Sequence, residues 1–257
     1  MPSEFDQIVY KVRPLWEKQI WGKYTRPGRH FALSLENMIL MLLLYYRTYT
    51  TQLFVGFWFG IDDSRVCRII QKLEPLLARV MVLPKRKELS KKEAESLLID
   101  ATEQPIERPK KRQRPYYSGE KKRHTLKTEI RTTLQGCIRH VSKDYPGSFH
   151  DFNVHKQEPP LHPKERAFVD SGYQGLDKQH RETILPYKVT KTRPLDPVKR
   201  RGNRALSRIR VLVENIIGDI KTFKILSDRY RNKRKRHNIK FKIIAGIVNL
   251  KNGFATI

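Results

Sequence analysis

The sequence predicts a mixed α+β protein in two parts: a helical N-terminal domain over residues 1–83 and a larger, sheet-containing domain over residues 97–257, joined by a linker at 84–96. Three observations carry that prediction. Apolar residues in the first third recur at helical spacing. The stretch LPKRKELSKKEAES, from Leu83 to Ser96, is charged, contains Pro84 and has few large apolar side chains, as a linker or an exposed helix would. Beyond it, two short apolar runs, each closed by an aspartate, read as buried strands.

Composition narrows the class of partner. Among 257 residues, 53 Lys and Arg face 26 Asp and Glu, a formal net charge of +27. Hydrophobic residues make up 39% and aromatics 10%, enough for a packed core, so the charge belongs to a folded polyanion binder and not to a disordered basic tail. Cys67 and Cys137 stand far apart, without a CxxC pair or a histidine cluster, which argues against a zinc site and a disulfide scaffold and leaves two reduced core thiols. The longest apolar run, Met38 to Tyr46, falls short of the roughly 18 to 20 residues that span a bilayer, so no membrane association is expected. No signal-peptide pattern opens the chain. The expected setting is intracellular, cytoplasm or nucleoid in a prokaryote, and the expected partner is nucleic acid.

In the first part, SLENMILMLLLYY begins with Ser34 as N-cap and runs apolar, as a buried helix does. A second helix covers Thr51 to Phe59 and ends at Gly60; Asp62, Asp63 and Ser64 then offer the turn and cap of a third. Val66, Ile69, Ile70 and Leu73 mark its buried face, with Arg65, Arg68, Gln71 and Lys72 largely opposite. Pro75 should kink or end this helix. A helix, a short Gly-containing turn and a basic second helix make a helix-turn-helix, whose second helix enters the DNA major groove. A small helical domain with a solvated charged face fits the same pattern.

In the second part, Leu97, Leu98, Ile99 lead into Asp100, and Ala167, Phe168, Val169 lead into Asp170, which Ser171, Gly172 and Tyr173 follow as a turn. Strand ends on one sheet edge can bring such carboxylates together. Leu206, Ile209, Val213, Ile216, Ile217 and Ile220 form a helical stripe with Glu214 beside it. Asp100, Asp170 and Glu214 would then be a cluster of hard oxygen ligands for two Mg²⁺ or Mn²⁺ ions, able to stabilise both oxygens of an in-line displacement at phosphorus. Alternatively, the aspartates are strand-terminal caps and Glu214 pairs with Arg210 one turn earlier. Glu103 and Asp151 rank below these three: Glu103 follows the strand end as a possible supporting group, and Asp151 follows the Pro146–Gly147 turn as a helix cap.

Between the two aspartates, Arg108, Lys110, Lys111, Arg112, Arg114, Lys121, Lys122 and Arg123 surround Tyr116 and Tyr117. This is a phosphate-tracking surface with aromatics for stacking, or else a solvated hairpin. The run Arg229, Arg231, Lys233, Arg234, Lys235, Arg236 is similar and is placed to grip the flank of the same duplex.

The segments IDATEQPIERPKKRQRPYYSGEKKRHTLKTE, GSFHDFNVHK, VDSGYQG and NRALSRIRVLVENIIGDIKTFKILSDRYRNKRKR resemble insertion-sequence transposases of the DDE superfamily, of the insertion-sequence-five type, related to Harbinger transposases. The helical segment from LSLENMILMLLLYYRTYTTQ through FGIDDSRVCRIIQKLEPLL resembles that family's helix-turn-helix domain. The resemblance implies a ribonuclease-H-like catalytic domain, a central mixed sheet flanked by helices, with Asp100, Asp170 and Glu214 matching the acidic triad. It also implies metal-dependent cleavage at the ends of a mobile element, attack of the freed 3′ hydroxyl on target DNA, and a homo-oligomer on double-stranded DNA. Glu120 and Tyr187 stand where the family tends to have lysine, each removing a possible phosphate contact. A catalytically inactive DNA-binding derivative is the alternative. A basic RNA-binding or ribosome-associated protein is a third reading, but it lacks an RRM, KH or zinc-knuckle signature.

Overall fold

The computed structural model describes residues 3–21, 31–90, 94–188 and 195–254. Four helices come first: α1 (Glu4–Trp21), α2 (Leu35–Thr48), α3 (Gln52–Phe59) and α4 (Asp63–Val80). The sequence reading missed α1, although Ile8, Val9, Val12 and Trp16 are buried at helical spacing along it. The caps at Ser34 and Asp62 fall where the sequence places them, and Thr51, expected as the first residue of the second helix, is its cap. The Ser34, Thr51 and Asp62 side chains accept from the backbone N–H groups of Asn37, Phe54 and Arg65, and Gly60 ends α3 in the left-handed region at φ 64°. Gly56 is required for a different reason: a Cβ there would run into the Ile61 carbonyl as the turn folds back on α3.

Pro75 does not end α4, which continues to Val80. The Gln71 carbonyl, which a residue 75 N–H would otherwise satisfy, accepts instead from Arg236 Nη2 at 3.3 Å.

After a short 3₁₀ turn at Arg86–Glu88 comes a seven-stranded sheet in the order β2-β3-β1-β6-β7. Its strands are β1 (Ser96–Pro105), β2 (Tyr117–Ser118), β3 (Arg123–Thr133), β4 (Ile138–Val141), β5 (Tyr145–Pro146), β6 (Arg166–Phe168) and β7 (Thr183–Ile184). Residues 91–93 of the expected linker lie outside the described residues. β1 runs antiparallel to β3 and parallel to β6, and β4 and β5 also pair with β3, so the sheet is mixed. Helix α5 (Asp151–His155) precedes β6; α6 (Pro197–Lys221) and α7 (His237–Lys251) follow the sheet. The predicted architecture, a helical N-terminal part followed by a mixed sheet flanked by helices, is the observed one.

The two faces of β1 follow from strand alternation. Leu98 packs with Phe168 under Leu206 and Val213 of α6, whereas Leu97 and Ile99 pack with Ala167, Val169 and Tyr173 on the other side. A single core joins the four N-terminal helices to the rest: Leu73, Leu77 and Met81 share it with Phe241, Ile244 and Val248 of α7. Helix α7, also missed in the sequence reading, approaches so closely that a Cβ on Gly246 would clash with Met81. Its Asn249 side chain holds the Ile138 backbone through both N–H and carbonyl, each at 2.8 Å.

Candidate active site

Asp100 is not at a strand end, because β1 continues past it to Pro105. The apolar run stops at Asp100 because Thr102 and Gln104 are polar, yet both are buried. Gln104 is satisfied there by the Ile225 and Asp228 carbonyls and by His237 Nε2, which removes the cost of burying its amide. Asp170 does follow a strand end, two residues past β6, where its Oδ1 accepts from the Gly172 N–H at 2.7 Å. Leu98 lies opposite Phe168 in the parallel β1–β6 ladder, so two further residues along each strand Asp100 and Asp170 come level. By alternation both belong to the face that α6 covers.

The proximity has an electrostatic consequence. Burial raises the Asp100 carboxyl, and the like charges of Asp170 and Asp151 raise it further, to about 6, despite the Ala101 N–H held at 2.8 Å and the nearby Arg210. Glu214 is on the right helix but does not close on the pair. Its side chain is 55% exposed, and the Arg210 guanidinium stands between the acids, with Nη2 3.8 Å from Asp170 and 3.7 Å from Glu214. The i,i+4 pairing and the position beside the aspartates therefore occur together. Arg210 itself escaped the sequence reading as a site residue; its signal was a cation one turn before the candidate acid.

Asp151 is the first residue of α5, with His150 as the cap, so it does not cap the helix itself. Its carboxylate turns to Lys127 Nζ at 2.8 Å, and that ammonium also reaches Glu103 at 3.3 Å and donates to the Phe149 carbonyl at 2.8 Å. Burial raises Asp151, with Lys127 opposing and Asp170 and Glu103 adding to it. Lys127 is raised because its two carboxylates outweigh the burial that would lower it. Glu103 lies within β1, opposite Lys127 in the β1–β3 ladder. Lys221, the last residue of α6, borders the same acids: burial and Lys121 lower it, while Asp100 and Glu103 oppose.

Among the described residues, no three Asp, Glu, His or Cys side chains converge closely enough to hold an ion. Asp100 and Asp170 are hard oxygen donors brought level, the donor type a divalent cation takes, and Asp100 is raised by burial first and then by the charge of Asp170, which a cation would relieve. Glu214 as placed does not complete the set.

The cationic residues divide between two surfaces. Arg65, Arg68 and Lys72 line a hollow of about 260 Å³ on α4 together with Phe31, and the Lys72 ammonium lies 4.8 Å from that ring. Arg65 is braced by Asp62 at 3.0 Å, and Arg68 by Ser64 Oγ at 2.7 Å. Gln71 does not join them; it bonds Cys67 Sγ and lines the neighbouring hollow beside Arg236. Arg108, Lys110, Lys111, Arg112, Arg114, Lys121, Lys122 and Arg123 are all exposed, around the hairpin of β2 with β3. Part of the C-terminal basic run is engaged within the protein: Arg231 is bonded to Tyr49, Arg234 stacks 4.4 Å over Tyr116, and Arg236 pairs with buried Glu74 at 2.9 Å. Cys137 is buried as expected and Cys67 is half-buried; neither forms a disulfide. Among the described residues no helix is long and apolar enough to cross a membrane.

Residues 99–252 match the family model described as DDE superfamily endonuclease, and residues 31–82 match the helix-turn-helix of DDE superfamily endonuclease. The chain is 37% identical over 236 residues to a protein of Microchaete diplosiphon described as a transposase for insertion sequence element IS702, covering 88% of this chain and 84% of that protein. It is 26% identical over 230 residues to a protein of Streptomyces albus G described as a transposase for insertion sequence element IS112, covering 88% and 82%. No solved structure matches. With a helix-turn-helix ahead of a mixed sheet whose neighbouring strands bring two aspartates level under α6, the chain belongs to the DDE superfamily of transposases.

Proposed function

We propose that the chain binds the ends of an insertion sequence, cleaves phosphodiester bonds there and joins the resulting 3′ hydroxyls to target DNA, as a homo-oligomer on DNA. The observation that carries this reading is the register that brings Asp100 level with Asp170 beside Arg210 and Glu214. Asp100 and Asp170 would hold Mg²⁺ or Mn²⁺, with Glu214 as the further carboxylate ligand. Two such ions, when bound, stabilise the attacking and leaving oxygens of an in-line displacement. The chain's own groups position the DNA: α4 presents Arg65, Arg68 and Lys72 to base edges, and the exposed hairpin cations neutralise phosphates. Lys127 holds Asp151 and Glu103 in fixed positions at the edge of the acidic pair.

A second reading, a catalytically inactive DNA-binding derivative, draws on the Arg210 contact that keeps Glu214 from the aspartates. Incubating the protein with DNA carrying an element end, with Mg²⁺, with Mn²⁺ and with a chelator, separates the two. Metal-dependent cutting is the expected result; binding without cutting under every condition supports the derivative.

A further inference from the structure

An open groove of about 930 Å³ lies between β7 and the first half of α6. One wall is built on β7, whose Ile184 lies opposite Phe168 and accepts the Val169 N–H at 3.2 Å, next to Asp170. The other is the α6 surface at Gly202, Asn203 and Leu206, and Leu206 is one helical turn before Arg210, which reaches Asp170. The lining is apolar at Ile184, Leu185 and Leu206 and carries the cations Lys178 and Lys188 beside one carboxylate, Asp177.

Tyr187 lies in this groove with 53% of its surface exposed. Its backbone is held from both sides by one amide: its N–H donates to Asn203 Oδ1 at 2.8 Å, and its carbonyl accepts from Asn203 Nδ2 at 2.9 Å. The Lys199 ammonium lies 6.0 Å from the ring centre. The backbone that carries the ring is therefore held before any ligand arrives, which lowers the ordering cost of binding. A duplex backbone needs only cations. A ring on a held backbone, an apolar lining and cations within it together suit the flat face of a base and its phosphate.

We infer that this groove binds an unpaired nucleotide of the DNA strand next to the scissile phosphate, stacked on Tyr187 with its phosphate at Lys178 and Lys188. The inference deepens the transposase reading, because that reading supplies the strand passing Asp170. A base that leaves the stack beside Asp170 would meet the exposed face of Tyr187, and stacking there offsets part of the cost of unstacking it.

The test uses the full chain, a short oligothymidylate and a duplex of equal length, at one salt concentration. Tyr187→Ala should weaken oligothymidylate binding by about 5- to 150-fold, the factor for losing one base–aromatic stack. Duplex affinity should stay unchanged, and Tyr187→Trp should bind oligothymidylate as the wild type does. Equal loss on both probes, loss on neither, or a Trp variant as weak as the Ala variant overturns the inference. Neither probe is cut, so the outcome is independent of whether the acidic residues cleave DNA.

Discussion

Arg68 and Glu129 show how far a single side chain can be read. Arg68 is exposed, steadied by Ser64, and placed with Arg65 and Lys72 on the outer face of α4. Arg68→Ala should reduce preference for the terminal repeat over random DNA by about 1 to 3 kcal/mol, the range for a good base contact. Competition binding checks this, and equal weakening on both DNAs would reject base readout. Glu129, within β3, is fully buried and bonded to His155 Nδ1 at 3.0 Å and Arg131 Nε at 2.8 Å. Burial alone would raise its carboxyl, but His155 and Arg131 prevail and hold it below its ordinary 4.5. A depressed folded-state value stabilises the protein above the unfolded one and is lost as pH falls through the folded one. Denaturant unfolding at a series of pH values should therefore show stability declining below about pH 4.5, with Glu129→Gln flattening that part of the profile.

At the scale of elements, legibility tracked local signals. The caps of α2, α3 and α4 were readable because Ser34, Thr51 and Asp62 act on their own first turns. The length of β1 was not, since only the distant carbonyls of Ile225 and Asp228 make Gln104 a buried strand residue. The continuation of α4 past Pro75 likewise depends on Arg236, far away in sequence. Helix α7 carries apolar residues on most of its circumference and so lacks the stripe that marked α6. Asp100 and Asp170 were legible as a pair, but the position of Arg210 between Asp170 and Glu214 needed three dimensions. The basic segment from Arg108 to Arg123, which leads into the β2–β3 hairpin, leaves its own question, whether its exposed cations touch DNA. Replacing Lys110, Lys111 and Arg112 together with Ala should flatten the slope of log affinity against log salt by up to about 2.7, at roughly 0.9 per phosphate contact. An unchanged slope in a folded variant would remove this segment from the DNA path.

Across the whole molecule, the helix-turn-helix is welded to the catalytic part through Glu74, which is fully buried on α4. Its carboxylate takes the Tyr46 hydroxyl at 2.9 Å, Lys240 at 2.8 Å and Arg236 at 2.9 Å. His237, next in sequence to Arg236, bonds Gln104 of β1, so a short chain of contacts runs from α4 to the strand that carries Asp100. Glu74→Ala leaves the Lys240 ammonium buried and unpaired and should cost about 3 to 5 kcal/mol, read from denaturant midpoints. A loss below about 1 kcal/mol, the scale of a surface pair, would show that the contact is not structural. The central claim is that Asp100, Asp170 and Glu214 perform metal-dependent cleavage, and its most direct test replaces each in turn, as Asp100→Asn, Asp170→Asn and Glu214→Gln. Strand cleavage of element-end DNA in Mg²⁺ or Mn²⁺ is then measured beside affinity for the same DNA. The account predicts that all three variants bind as the wild type does and lose cleavage; variants that still cut at the wild-type rate would contradict it.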